Sequence, residues 1–279
     1  MTMAFYGIDV SHHEGTIDWQ KAKVNGPDFC FVRVGYANGD GTITMDREFE
    51  NNMNGIADTC IDTGLYLYSY IRTEAAAAEA AGAFLTIAQA YDLTMPLVFD
   101  LEDVGVYGAL GVELTTSIAQ IFLGMVRDAG YYPMLYSNTN FANNYVDMSQ
   151  LSQFDFWVAD YRSWIGYTGV YGIWQYTDQG VIDGIRDRVD LNIAYRDYPS
   201  IIKSGGYNRL PAWMRILPGS VVRILPTAAV YANSSVPIPP CVRRQDYTVL
   251  KVCGHTALLS CINSWVRLED LQLVRGPAV

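Results

Sequence analysis

The stretch PLVFDLEDVG, residues 96–105, carries an apolar run that ends in Asp100 and Glu102, one residue apart. If the run is a strand, side chains two apart share a face, so both carboxyls point the same way where the chain leaves a hydrophobic interior. Other apolar, β-rich runs close in the same manner: Asp9 in AFYGIDVS, Asp160 in FWVADYR and Asp190 in RVDLNIAY. Crowded, desolvated acids cannot all ionise, and at least one is pushed to a higher pKa. A carboxylic acid still protonated near neutrality can serve as a general acid. Cleavage of a glycosidic bond needs this arrangement, with one acid to protonate the leaving oxygen and a second group to deal with the oxocarbenium-like carbon. Capping of the following helix is the competing role for a single acid at a strand end; it accounts poorly for four or five together.

Eight runs are short enough to be strands: residues 4–11, 29–36, 65–72, 95–102, 132–138, 156–162, 172–178 and 188–195. Between them, DREFENNMNGIADTCIDTG and EAAAAEAAGAFLTIAQAYDL have the periodicity and alanine content of helices. LTTSIAQIFLGMVRDAG reads as another, with Thr115 or Thr116 as its N-cap and Gly130 as its stop. Strand–helix alternation of this kind predicts an α/β fold, an irregular (β/α)8-type, TIM-like barrel with short final connections. A doubly wound sheet is disfavoured because no G-x-G-x-x-G turn follows the first strand. On a barrel the acids gather at one face, and Asp9 and Asp190 lie on strands that meet at closure.

After Tyr198 the pattern changes. The segment PSIIKSGGYNRLP reads as a linker or domain edge, and from Trp213 short β-like runs (SVVRILP, AAVYA, YTVLKVC, TALLSCI, SWVRLEDL) predict a small all-β barrel. The expected organisation is a barrel over 1–203, a linker over 204–212 and the small domain over 213–279. Charge divides likewise: residues 1–205 hold 11 Lys/Arg against 26 Asp/Glu, whereas residues 206–279 hold 8 against 3. An acidic front unit repels a phosphate backbone and argues against nucleic acid; the basic tail suits an anionic polymer.

His12 and His13 follow Asp9 closely, and an Asp with two His could hold a divalent ion. Adjacent side chains diverge, however, and the remaining histidine, His255, lies in the tail. No metal or cofactor is therefore expected; one His should line the cleft and the other cap or pack. There is no G-x-S-x-G elbow and no P-loop. Among the aromatics near the strand tips (Tyr66, Tyr68, Tyr70, Tyr136, Tyr161, Trp174, Tyr176), some should stack on sugar rings and the others belong to the core. The five cysteines lack metal-binding spacing and are expected to be free, mostly buried thiols, as in a reducing cytosol. The opening MTMAFYGIDVSHHEG has no signal-peptide pattern, and no apolar stretch is long enough to span a membrane.

In this order along the chain, YGIDVSHHEGTIDW, FCFVRVGYANGDGTITMDREFENN, GLYLYSYIRT, PLVFDLED, PMLYSN, FWVADY, GIWQYTD and VDLNIAY resemble glycoside hydrolase family 25, the bacterial and phage N-acetylmuramidases (lysozymes) of the Chalaropsis type. The resemblance covers about 1–198 and implies hydrolysis of the β-1,4 bond between N-acetylmuramic acid and N-acetylglucosamine in peptidoglycan. It makes Glu102 the general acid and Asp100 either a nucleophile or the group that orients a participating acetamide. Asp9 and Asp190 complete the acidic floor, and Tyr68, Tyr136, Asp160, Tyr176 and His13 are the expected substrate-binding residues. At His13-Glu14-Gly15 the family often has Gln before Gly, which leaves the role of Glu14 open. The ending CINSWVRLEDLQLV is similar to bacterial Src-homology-3-like wall-binding modules. Together these resemblances imply an endolysin of phage or prophage type, made in the host cytoplasm, released by a holin and acting on a Gram-positive wall; a non-catalytic wall-glycan-binding protein on the same barrel is the alternative.

Overall fold

The computed structural model describes residues 4–24, 26–57, 59–210 and 212–277. Two units are distinguished, residues 1–202 and 203–279. The first is built on strands β1 (Phe5–Val10), β2 (Phe29–Ala37), β3 (Ile43–Met45), β4 (Asp62–Ser69), β5 (Leu97–Asp100), β6 (Pro133–Asn138), β7 (Asp155–Ala159), β8 (Ile173–Gly180) and β9 (Val189–Ala194). Hydrogen bonding runs β1-β9-β8-β7-β6-β5-β4-β2, and a β1–β2 pairing closes an eight-strand barrel with β3 appended to β2. The pairings from β1 through β2, β4, β5, β6 and β7 to β8 are parallel. Strand β9 is antiparallel to both β8 and β1. The short connections before it leave no room for a crossover helix, which a parallel strand requires.

Strands buried on both faces read as continuous apolar runs, and β2 is buried over nearly its whole length. Inside the barrel Trp157 stacks on Phe31 with centroids 4.7 Å apart and meets Tyr136 edge-on at 4.6 Å. Gly64 makes room for this plug: a Cβ there would lie 2.6 Å from the Phe31 ring.

Helices α1 (Trp19–Ala22), α2 (Phe49–Ala57), α3 (Glu74–Ala88), α4 (Val104–Leu110), α5 (Val112–Asp128), α6 (Thr139–Asn144) and α7 (Tyr198–Gly205) complete the unit or border it. No single described helix is long and apolar enough to cross a membrane. Phe122 on α5 stacks on Phe99 of β5 at 4.1 Å and meets Phe84 of α3 at 5.8 Å, tying sheet and helices together. Helix α5 starts earlier than expected, with Gly111 at its N-cap. Thr115 and Thr116 are not caps; their hydroxyls donate back to the carbonyls of Gly111 and Val112, an alternative open to threonine inside a helix. The stretch read as the start of a linker is instead α7. Pro199 sits in its first turn, where no amide donor is needed, and the Asp197 carboxylate accepts from the Ser200 amide at 2.9 Å.

The second unit holds β10 (Val221–Ile224), β11 (Asp246–Cys253), β12 (Thr256–Leu259), β13 (Ser264–Arg267) and β14 (Leu271–Arg275). They form one antiparallel sheet in the order β13-β12-β11-β10-β14. Val222, Ile224, Tyr247, Val249, Leu259 and Val266 belong to a core of its own. The AAVYA run makes only an isolated bridge, Val230 to Pro237. Cys30 is a buried free thiol, but Cys241 and Cys261 are exposed rather than buried, and Cys60 and Cys253 are not free thiols, which corrects the expectation for them.

Phe99→Ala removes the ring on which Phe122 stacks, and a loss of about 3–5 kcal/mol is expected. Chemical denaturation followed by far-UV circular dichroism measures it; a loss below about 1 kcal/mol would contradict this packing.

Candidate active site

Asp100 is the last residue of β5, but pairing with β6 runs one residue further: the Leu101 amide donates to the Tyr136 carbonyl at 3.0 Å and Ser137 Oγ to the Leu101 carbonyl at 2.6 Å. Leu101 is fully buried, so strand alternation turns Asp100 and Glu102 to its other side. Asp103 then caps α4, accepting from the Val106 amide at 2.8 Å. Glu102 accepts from Asn138 Nδ2 at 3.4 Å. Asn138 is itself fixed as the N-cap of α6, its Oδ1 accepting from the Phe141 amide at 2.9 Å. Asp100 Oδ1 is buried without a hydrogen-bond partner among the described residues. Burial, then the charges of Glu102 and Asp9, hold the Asp100 carboxyl well above the usual carboxylate range, with Arg33 pulling weakly the other way. Burial also raises Glu102, while its bond to Asn138 opposes the shift.

The second acid pair comes from barrel closure. Asp9 on β1 lies directly opposite Asp190 on β9 in the strand register. Asp190 is not at the C-terminal tip of a parallel strand, as the alternation suggested; it stands near the start of an antiparallel one, which brings it to the same mouth. Asp9 Oδ2 accepts from Asn192 Nδ2 at 2.8 Å and from Gln175 Nε2 at 2.9 Å, and the same Nε2 reaches Asp190 Oδ2 at 3.2 Å. Burial lifts Asp9 to about 6, held back by those two amides. Burial and then the charge of Asp9 lift Asp190 to about 9. At neutral pH the pair shares one proton.

Two cavities open on these groups. An inner one of about 250 Å³ is lined by Asp9, Asp100, Asp190, His13 and Tyr68, among others. An outer one of about 720 Å³ is lined by Asn138, Asp160, Tyr161 and neighbours on α6. Glu102, Tyr136 and Asp190 border both, so Glu102 stands where the two meet.

The structure thus brings Asp9, Asp100, Glu102, Asp190, His13, Tyr68 and Tyr136 to one cleft. Burial and the neighbouring His12 and Arg33 lower the pKa of His13. Asp160 borders the outer cavity, but its acceptors are occupied by Arg162 (2.7 Å), the Gly166 amide (2.8 Å) and Thr139 (2.8 Å). Those bonds, that from Arg162 foremost, hold it well below the usual carboxylate range. Tyr176 is a correction: it borders neither cavity. Its strand neighbour Gln175 points inward, so alternation turns Tyr176 out beside Trp174, with centroids 5.8 Å apart. Glu14 forms a capping box with Ser11, accepting from its amide at 2.7 Å. His12 pairs with Asp46 at 2.9 Å. Among the described residues no group of three or more His, Cys, Asp or Glu is disposed to hold a metal ion.

Gln175, Asn192, Asn138 and Trp157 were missed by sequence reasoning. A signal existed for two of them: Asn192 is two residues from Asp190, on the same strand face, and Gln175 is an amide inside an apolar run.

The model of the family described as "Glycosyl hydrolases family 25" matches residues 8–185, more than half of the chain. The chain belongs to glycosyl hydrolase family 25. It is a glycosidase of lysozyme-like type. It is 28% identical over 195 residues to the uncharacterized protein YegX of Escherichia coli O157:H7, covering 67% of this chain and 68% of that protein. It is 24% identical over 214 residues to lysozyme M1 of Streptomyces globisporus, covering 68% of each. The modular autolysin LytC of Streptococcus pneumoniae, solved in complex with a synthetic peptidoglycan ligand, is 26% identical with a TM-score of 0.60, over 68% of this chain. This chain spans 46% of the length of LytC.

Raised carboxyl pKa values make the fold depend on pH. Asp9 and Asp190 bind more protons folded than unfolded between their ordinary value of 3.8 and their folded values of about 6 and 9. Their contribution to stability therefore falls as pH rises through that window. Asp160, lowered in the fold, acts oppositely and only in more acidic solution. The chain should thus melt at higher temperature near pH 5 than near pH 9, and Asp190→Asn should flatten the dependence by roughly 1–3 kcal/mol. Thermal melts of both proteins across this range measure it; parallel curves would refute the assignment.

Proposed function

We propose that the protein is an N-acetylmuramidase, cleaving the β-1,4 bond between N-acetylmuramic acid and N-acetylglucosamine in the peptidoglycan of Gram-positive walls. The observation that carries this reading is the Asp100–Glu102 pair: two carboxyls on one strand face, both raised by burial, at the junction of two cavities. Glu102 is the general acid. It borders both cavities, so a glycan lying across them places its bridging oxygen beside this carboxyl. Asp100 faces the inner cavity with an unpartnered oxygen. It serves as nucleophile or as the acceptor that orients the substrate acetamide, with attack on the sugar carbon coming from the face opposite the departing oxygen. Asp9 and Asp190, sharing a proton, keep the floor from carrying four full charges. Tyr68, Tyr136 and His13 line the sugar path, and Asp160 shapes its outer wall through Arg162 and Thr139.

Support for a peptidoglycan substrate also comes from the likeness to lysozyme M1 and to LytC with its peptidoglycan ligand. The second unit is, on this reading, a Src-homology-3-like wall-binding module; its excess of basic side chains suits anionic wall polymers. The setting we propose is phage or prophage lysis, with synthesis in the host cytoplasm and holin-type release to the wall.

Glu102→Gln is expected to reduce the release of reducing ends from purified walls by about 10²–10⁴-fold. Mass spectrometry of the muropeptides freed by the unaltered chain should show N-acetylmuramic acid at the new reducing ends. Glu102→Gln should still sediment with walls. Parental activity in Glu102→Gln, or new reducing ends on N-acetylglucosamine, would sink the reading.

A further inference from the structure

Gln175 on β8 is 1% exposed and uses both ends of its amide. Nε2 donates to Asp9 and Asp190, as described, and Oε1 accepts from the hydroxyls of Tyr136 and Tyr161, each at 2.8 Å. A primary amide has two N–H donors and two oxygen lone pairs; here all four are engaged. The two ends are not interchangeable. An ionised carboxylate only accepts, so while either Asp9 or Asp190 is charged the NH₂ end must face them. The reversed amide would set Oε1 against acid oxygens. Fixing one end fixes the other, and Oε1 then takes the single proton of each tyrosyl hydroxyl. Burial and nearby carboxylates push both tyrosines above their ordinary range, so neither hydroxyl ionises. With its proton turned toward Gln175, each hydroxyl has only lone pairs left for a ligand.

We propose that Gln175 is a positioning residue that sets the hydrogen-bond polarity of the cleft: it holds the Asp9–Asp190 pair at one end and makes Tyr136 and Tyr161 pure acceptors at the other, so that they select N–H and O–H donors on the bound glycan. This rests on the glycan-hydrolysing reading above and extends it to what the tyrosines recognise. Tyr161 is 52% exposed and borders the outer cavity, and Tyr136 borders both. The accepting surface therefore begins beside Glu102 and runs outward. An acetamido N–H or a sugar hydroxyl satisfies it. An ionised carboxylate has no proton to give, so the lactyl or peptide carboxylates of a muramyl residue turn away from this wall.

The groups that bear on the titration of the pair are Asp9 on β1, Asp190 on β9, Glu14 after β1 and Asp178 on β8. Tyr136 on β6 and Tyr161 after β7 face Gln175 itself, with Glu102 and Asp100 behind Tyr136. Two variants of the full chain isolate Gln175: Gln175→Met removes both ends at similar bulk, and Gln175→Glu keeps the shape and the acceptors but loses the donors to the acid pair. Carboxyl-carbon NMR titration should show the first ionisation of the Asp9–Asp190 pair moved upward by about one pH unit in both, since hydrogen bonds to the charged form are lost. On peptidoglycan, kcat should fall roughly 10–100-fold. Tyr161→Phe should leave the titration of the pair in place and weaken binding of an N-acetylglucosamine tetramer about fivefold by calorimetry. The NMR titration judges Gln175 even if the unaltered chain releases no reducing ends, an outcome that would defeat the hydrolase reading alone. If reducing ends appear while both Gln175 variants keep the parental titration and kcat, the positioning role is overturned and the hydrolase reading stands. Unchanged tetramer affinity in Tyr161→Phe would overturn the selection of donors.

Discussion

Four carboxyl groups, Asp9, Asp100, Glu102 and Asp190, face one cleft over a floor of aromatic rings, and the cost of ionising them together governs what surrounds them. The plug of Trp157, Phe31, Tyr66 and Tyr136 fills the barrel beneath them and withholds water. Charge in such a place is relieved by protonation, by neutral donors or by a cation. Arg33, which lines the inner cavity, is committed to Asp46, donating from Nε at 2.9 Å and from its terminal nitrogen at 2.7 Å. A free guanidinium beside Asp100 would draw off its proton. With Arg33 held by Asp46, Asp9, Asp190 and Glu102 are relieved by amides instead, and an amide steadies a carboxylate without fully cancelling the pressure to stay protonated. A cleft that must retain a proton donor near neutrality gains from neutral donors where a cation would spoil it.

The same economy explains the way the barrel closes. A parallel final strand would need a crossover helix and would present its C-terminal end at the mouth. The antiparallel β9 needs neither, and its register sets Asp190 against Asp9 and Asn192 against Gly7. Asn192 then accepts from Trp157 Nε1 at 2.8 Å while donating to Asp9. One side chain thus joins the aromatic plug to the acid above it. Packing and electrostatics are not separate layers here, because the indole nitrogen that would be costly if buried unpaired is satisfied by the amide that holds the acid.

Much of this was legible in the residues. Period and composition separate the eight barrel strands and three of the helices, because strands buried on both faces leave unbroken apolar runs and long helices repeat their apolar positions. The gathering of acids was legible because carboxyls at the ends of such runs have few structural excuses. What escaped follows from the short reach of local patterns. Thr115 looks like a cap until one sees that its hydroxyl can bond backward inside a helix. Pro199 looks like a breaker until it is placed in a first turn. The direction of β9 is a property of the closed sheet and leaves no mark in VDLNIA. Tyr176 and Gln175 are neighbours on one strand, and which of them faces inward is set by the register of β8 against β7 and β9, which the local sequence does not show. An aromatic side chain suggests a sugar platform by its type alone, whereas an amide suggests nothing until its four partners are found.

The inequality between Asp100 and Glu102 is the finest consequence of this arrangement. Both follow from one strand end, yet their surroundings differ. Asp100 is 4% exposed, has an oxygen without a partner and feels two neighbouring carboxyls. Glu102 is raised mainly by burial, is steadied by Asn138 and touches both cavities. A group that must deliver a proton to an oxygen between two sugars has to reach both sides of the bond and take the proton back afterwards, which favours a partly steadied carboxyl at the junction. A group that must meet one sugar from below can be buried more deeply, provided one oxygen stays free for it. The backbone lock of Leu101 onto β6 holds the two acids on a common face, and their different environments support the division of tasks proposed for them, with Glu102 exchanging the proton and Asp100 holding a charge or a hydrogen bond against the ring.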